Sequence, residues 1–255
     1  MAVMPGSGTP LAPIVLPTRA ETGAAAAKDI AQAIRDAVAE RGHARVVFAA
    51  APSQQETLDT LVALPDVPWE KVDALHMDEY VGLSEGAPER FAQWLRQNLF
   101  TRVPFRSVDV LDPGSDPEAE AVRYAEVLNA EPIDIVVLGI GVNGHIAFND
   151  PGVADFDDPK VVKVVELDEE CRGQQVQDGC FPRLEDVPRT ALTLTVPTLL
   201  SGRRLFCIVP GSFKAPAVRA TFTEPASTQW PSTALRSHPD CRVYLDAAAA
   251  ALLEP

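Results

Sequence analysis

Three stretches of this 255-residue chain carry residues whose types and spacing suit chemistry. The first, Ile133 to Gly152, reads IDIVVLGIGVNGHIAFNDPG. Gly139, Gly141 and Gly144 let a backbone turn sharply and approach a ligand closely, and Asn143, His145, Asn149 and Asp150 lie within or just after that turn. Histidine exchanges protons near neutrality, and a carboxylate beside it holds its tautomer and supports its charge. The second stretch, His76-Met77-Asp78-Glu79-Tyr80, sets two adjacent carboxylates at the end of a β-type run. One suits a general base, the other a helix cap or an ion-pair partner. The third, Pro210-Gly211-Ser212-Phe213-Lys214, places a lysine at the start of a helix, where the dipole favours anions. Lys214 is therefore expected to meet an anion that the free N–H groups of the helix start share. The Ala51-Pro52-Ser53-Gln54-Gln55 passage also leads from a strand into a helix, but without the glycine of a phosphate loop.

These side chains need elements to position them. Ile133 to Leu138 is short, apolar and rich in β-branched residues, as a strand buried on both faces is. Further strands are expected over Ile14–Leu16, Arg45–Ala50, Val72–Met77, Val108–Leu111, Val161–Leu167, Ala191–Val196, Leu205–Val209 and Arg242–Leu245. Helical spacing of apolar residues predicts helices over Ala20–Arg41, Glu56–Leu64, Pro88–Leu99, Pro117–Asn129 and Ala215–Thr223, with shorter ones at Pro197–Ser201 and Trp230–Ser237. The polar stretch Asp168–Phe181 follows neither period and reads as an active-site cover or an irregular helix. Strands alternating with helices predict a single-domain α/β fold: a mostly parallel twisted sheet with helices on both faces, a Rossmann-like three-layer sandwich. In such a sheet the loops leaving the strand ends gather at one cleft, bringing 52–55, 76–80, 141–150 and 211–214 together. Residues 1–12, rich in Pro, Gly and Ala, are expected to form a flexible tail before a domain spanning 13–255.

The bulk numbers narrow the function classes. A net charge of −14 opposes a general nucleic-acid surface and binding to anionic membranes, while a few local cations can still hold a small anionic substrate. No apolar run approaches a membrane span, and the N-terminus lacks a signal-peptide layout, so a cytoplasmic protein is expected. Cys171, Cys180, Cys207 and Cys241 match no zinc spacing and read as reduced thiols; no metal is expected.

LHMDEYVGL (Leu75 to Leu83) and GIGVNGHIAFNDPG (Gly139 to Gly152) resemble the paired signatures of the glucosamine-6-phosphate deaminase (isomerase) family. TALTLTVPTLL, PGSFKA and STALRSHPD extend the similarity over nearly the whole chain from about residue 20. The resemblance implies conversion of glucosamine 6-phosphate and water to fructose 6-phosphate and ammonia, with no metal or organic cofactor. It implies that Asp78 moves the proton between C2 and C1, that His145 handles the ring-oxygen proton, and that Asn143 and Asp150 orient His145. Lys214 would hold the phosphate, with Ser53, Gln54 and Gln55, Gly144, Glu79 and Arg172 as further substrate contacts. A sugar phosphate is then the partner, with self-association left open. The chain departs from the family pattern in Ser53-Gln54-Gln55 for Gly-Gly-Thr, Asn143 for Asp, Asp150 for Glu, and CRGQQVQDGCF for a segment bearing arginine. Two rivals are a 6-phosphogluconolactonase and a non-catalytic sugar-phosphate sensor. The IAFNDPG and MDEY motifs disfavour the first, and the presence of both Asp78 and His145 disfavours the second.

Overall fold

Apolar residues alternate faces along the central strands, and this alternation builds two cores. The computed structural model describes residues 11–253. In chain order these form β1 (Pro13–Leu16), α1 (Arg19–Arg41), β2 (Ala44–Phe48), α2 (Gln55–Ala63), β3 (Val72–His76), β4 (Asp78–Tyr80), α3 (Phe91–Leu95), β5 (Ser107–Val108) and α4 (Pro117–Asn129). There follow β6 (Ile135–Leu138), β7 (Val162–Glu166), α5 (Glu169–Gln177), β8 (Thr190–Leu194), α6 (Val196–Leu200), β9 (Arg204–Val209), α7 (Ala215–Thr223) and β10 (Cys241–Asp246). Val46 and Phe48 of β2 and Ile135 and Val137 of β6 join the core under α1 and α2. Val47, Val136 and Leu138 point the other way, into the core under α4, α6 and α7. Helices therefore cover both faces, as expected of a parallel sheet buried on both sides.

The main sheet has seven parallel strands in the order β1-β10-β9-β6-β2-β3-β5. The chain winds outward from β2 through β3 to β5, then returns to the other side of β2 as β6 and continues to β9 and β10. The strand order thus reverses between β2 and β6, and ligands of open α/β sheets bind outside the strand ends at such a reversal. Pairing of β1 with β10 joins the two ends of the described chain in one unit.

The alternation of helix and strand was legible, but a second sheet was not. β4, β8 and β7 form an antiparallel three-stranded sheet in which Asp78 pairs with Thr193. β4 is only three residues long, too short for a period to register, so Asp78–Tyr80 reads in the sequence as a mere continuation of β3. The strand expected over Val108–Leu111 shrinks to Ser107–Val108 at the sheet edge. The helix expected over Pro88–Leu99 begins at Phe91 and finishes as a π-type turn over Arg96–Phe100. Of the tail expected over residues 1–12, residues 1–10 lie outside the described residues, and Leu11 already packs against a core.

Local chemistry sets the ends of the elements. Thr18 caps α1 by accepting from the Glu21 N–H at 3.2 Å, and Gly42, at φ +87°, closes it. Arg19, in the first turn, donates to the Pro52 carbonyl and pairs with Glu56, tying the 52–54 turn to α1. No helix of the described residues is long and apolar enough to cross a membrane.

Candidate active site

A cleft opens at the carboxyl ends of β9, β6, β2 and β3. Asp78, His145, Lys214, Ser53 and Gln54 all line it, together with Met77, Phe91, Gly139, Gly141, Phe148, Gln174, Gln175 and Asp178. Asp78 and His145, distant in the chain, therefore open into the same space.

The glycine turn explains how His145 is held. A Cβ on Gly141 would fall 2.2 Å from the imidazole, so only glycine lets the ring lie across this backbone. The Gly141 N–H donates to the His145 carbonyl at 2.9 Å, and the Asn143 Oδ1 accepts from the His145 N–H at 3.1 Å. His145 Nδ1 lies 2.9 Å from Asp150 Oδ1. The Asn143 amide donates to Asp150 and to Asp168, each at 3.1 Å, so one side chain joins the carboxylate behind the histidine to the cap of α5. Asn149 has a structural part: its amide donates to the Ile146 and Leu194 carbonyls and pins the turn to β8.

The electrostatics differ from residue to residue. Burial pushes Asp78 well above the usual carboxylate range, and the neighbouring Glu79 adds to the rise. Burial also works against ionised Asp150, but the hydrogen bond and charge of His145, with the Asn143 amide, outweigh it and hold Asp150 below the ordinary value. Lys214 is 3 % exposed, and burial takes its pKa down to about 8 despite the opposing pull of Asp178. Its turn is fixed by Asp246, whose two carboxylate oxygens each accept from the Gly211 N–H at 3.0 Å.

Four of the expected substrate contacts lie elsewhere. Glu79 is wholly buried and accepts from the Tyr80, Phe91 and Ala92 N–H groups; it caps α3 and lies 3.5 Å from Arg90, leaving nothing to offer a ligand. Arg172 is buried and donates to the Leu184 and Val187 carbonyls, so its charge is absorbed in holding the chain beyond α5. Gly144, at φ +81°, backs onto Trp230 and Ser232 rather than the cleft. Gln55 turns outward and donates to Asp59 at 2.9 Å. Ser53 and Gln54 do line the cleft, and Gln54 also donates to the Ile208 carbonyl at 3.3 Å.

The structure adds lining residues that the sequence hid. Asp168–Phe181 holds a regular helix, α5, whose cap Asp168 accepts from the Cys171 N–H. Its buried side is polar because it faces the cleft with Gln174 and Gln175, which removes the apolar period that would have marked it. The Gln174 Oε1 accepts from the Val142 N–H at 2.9 Å, binding α5 to the glycine turn. The Asp168 cap and the Asp178-Gly179 stop were the available signals.

His145, Asp150 and Cys171 present ligand-type atoms within 4.8 Å of one another. Burial, with the carboxylates of Asp150 and Asp168, drives the Cys171 thiol well above its ordinary range. All four cysteines are free.

A doubly wound α/β protein whose switch-point cleft gathers an imidazole, a buried carboxylate and one buried lysine has the groups of an acid–base site for small ligands. The family described as glucosamine-6-phosphate isomerases/6-phosphogluconolactonase matches residues 17–243, and the chain belongs to it. Among curated relatives, a glucosamine-6-phosphate deaminase of Exiguobacterium sp. is 39% identical over 70% of this chain and 69% of its own. One of Listeria monocytogenes is 36% identical over 83% of this chain and 89% of its own. A solved structure of a monomeric glucosamine-6-phosphate deaminase superposes with a TM-score of 0.86 at 30% identity, covering 94% of this chain and 98% of that one. The 6-phosphogluconolactonase of Leishmania guyanensis shares the fold at 20% identity and a TM-score of 0.78, over 96% of this chain and 100% of its own.

Proposed function

We propose that this chain deaminates an amino-sugar phosphate, converting glucosamine 6-phosphate and water to fructose 6-phosphate and ammonia. The observation that carries this reading is that Asp78 and His145 line one cleft that also holds a buried lysine. The curated deaminase relatives support it.

His145 carries the proton of the C1 hydroxyl to the ring oxygen as the bond from C1 to the ring oxygen breaks and the C1 aldehyde forms, with Asp150 and Asn143 holding the imidazole in place. Asp78 removes the C2 proton next to the C1 aldehyde and returns it to C1. The electron pair left at C2 forms the C1=C2 bond of the enolamine while the C1 oxygen takes a proton from water; when the proton returns to C1, the nitrogen lone pair closes the C2 iminium. Water adds at C2, the C2–N bond breaks and ammonia departs, leaving the ketose. The raised pKa of Asp78 suits this exchange, since a base whose conjugate acid lies nearer the working pH both takes and returns a proton readily. Lys214 pairs with the phosphate. A cytoplasmic site of action fits such a substrate, because a charged sugar ester does not cross a membrane unaided.

The test is ammonia release from glucosamine 6-phosphate, galactosamine 6-phosphate and mannosamine 6-phosphate, alongside hydrolysis of 6-phosphogluconolactone. Ammonia from the first at enzymatic rates is expected. Lactone hydrolysis without ammonia would assign the cleft to the other branch of the family.

A further inference from the structure

The anion end of the cleft is short of cations. Among the described residues lining it, Lys214 is the single lysine or arginine. Arg172 is committed to two backbone carbonyls. A phosphate has more acceptor atoms than one ammonium can meet, so its other partners must be neutral donors.

Gln175 is placed for this. It is 7 % exposed, it lines the cleft, and its side-chain amide has no hydrogen-bond partner among the described residues, unlike that of Gln174. The polar atoms of this amide are not sealed off but open into the cleft, where a ligand can take up their hydrogen bonds. Its neighbours are held firmly: the Gln174 amide bridges the Val142 N–H and the Asp178 carboxylate, at 2.9 and 3.1 Å. Asp178, at the end of the same helix, lines the cleft together with Lys214. A second cation here would repel Lys214, already brought down to about 8 by burial, and weaken the charge it adds to. A neutral amide donates without that penalty. The Ser53 hydroxyl, whose oxygen accepts from Gln54 at 3.2 Å, keeps its own proton free to assist.

We propose that Gln175 donates its amide N–H groups to the substrate's phosphate beside Lys214, in the place of a second cation, on a helix face that Gln174 and Asp178 fix. This rests on the sugar-phosphate reading above. It makes Gln175 a specificity residue for a single-lysine, amide-lined anion site.

The test is calorimetric titration of the intact protein with inorganic phosphate, paired with steady-state kinetics. Gln175→Ala is expected to weaken phosphate binding and to raise KM for glucosamine 6-phosphate on the order of tenfold to a hundredfold, as loss of a hydrogen bond to a charged group does. The change falls on KM and not on kcat, and KM for unphosphorylated glucosamine stays as in the parent. Gln175→Glu keeps the length but brings a like charge, and is expected to bind phosphate more weakly still. Parent-like phosphate binding in both variants overturns the proposal. So does an equal loss for the phosphorylated and unphosphorylated sugars, or a parent protein that binds no phosphate. Should the parent release no ammonia from any amino-sugar phosphate, the deaminase reading falls, and the phosphate titration of Gln175→Ala against the parent still decides the role of Gln175.

Discussion

The end of β3 and β4 and the turn after β6 each bury a carboxylate near His145, but they surround it differently. Asp78 sits on β4 with no hydrogen-bond donor to its carboxylate among the described residues and with Glu79 next to it, and its pKa rises well above the ordinary 3.8. Asp150 is wholly buried, yet it meets an imidazole at 2.9 Å and an amide at 3.1 Å, and its pKa falls below the same value. Burial alone raises both; donors decide the sign. One carboxyl is thereby kept ready to hold a proton, the other kept charged to steady the histidine. Pairs of titratable groups driven apart in this way mark the separate acid–base roles of a site.

Substitution should break this contrast in opposite directions. Asp78→Asn is expected to lower ammonia release on the order of 10³-fold or more, the scale of a lost general base. It should also raise Tm at pH 7. A raised folded pKa means stability fully present below the ordinary value of 3.8 and lost as pH climbs towards the folded pKa, and asparagine removes that loss. Undiminished turnover, or a lower Tm at pH 7, would contradict the account of Asp78.

Asp150→Asn should cut kcat less, on the order of 10²-fold, because it acts through His145. Its Tm at pH 7 should fall, the reverse of Asp78→Asn. A depressed folded pKa gives stability present above 3.8 and lost as pH drops through the folded value, so this variant should also lose less on acidification than the parent. Matching Tm shifts in the two variants would erase the contrast.

Lys214→Met is expected to raise KM for the phosphorylated sugar on the order of tenfold to a hundredfold. Parent phosphate affinity should itself decline as pH rises through about 8, where Lys214 gives up its proton. The lysine's folded pKa lies below its ordinary 10.5, so its stability cost is largest below about 8 and disappears as pH approaches 10.5. Lys214→Met should therefore melt higher than the parent at pH 7, which calorimetry across pH checks. Smallest is the effect on the pH profile: the acid limb of kcat/KM should sit above the usual carboxylate range, set by Asp78.

The glycine turn shows what a local signal carries. Gly141, Asn143, His145 and Asp150 are close in the chain, and their contacts are made within the same turn, so their grouping is written in neighbouring letters. The strand–helix alternation was legible for the same reason, since each period is a local property. Glu79 and Arg172 were misplaced because their partners, the N–H groups at 91–92 and the carbonyls of 184 and 187, come from chain the sequence does not mark as adjacent. Gln175 was overlooked because a polar cleft wall and a solvent-facing helix carry the same letters.

By itself the sequence determined the parallel α/β order, the turn that seats His145 and the lysine at the start of α7, because periodicity, glycine sterics and helix starts depend on near neighbours. Only the tertiary structure decided which carboxyl has its pKa raised and which lowered, which cation stays free and which amide lines the cleft. Those outcomes depend on desolvation and on donors from distant strands, and both arise only when the sheet closes its loops into one space.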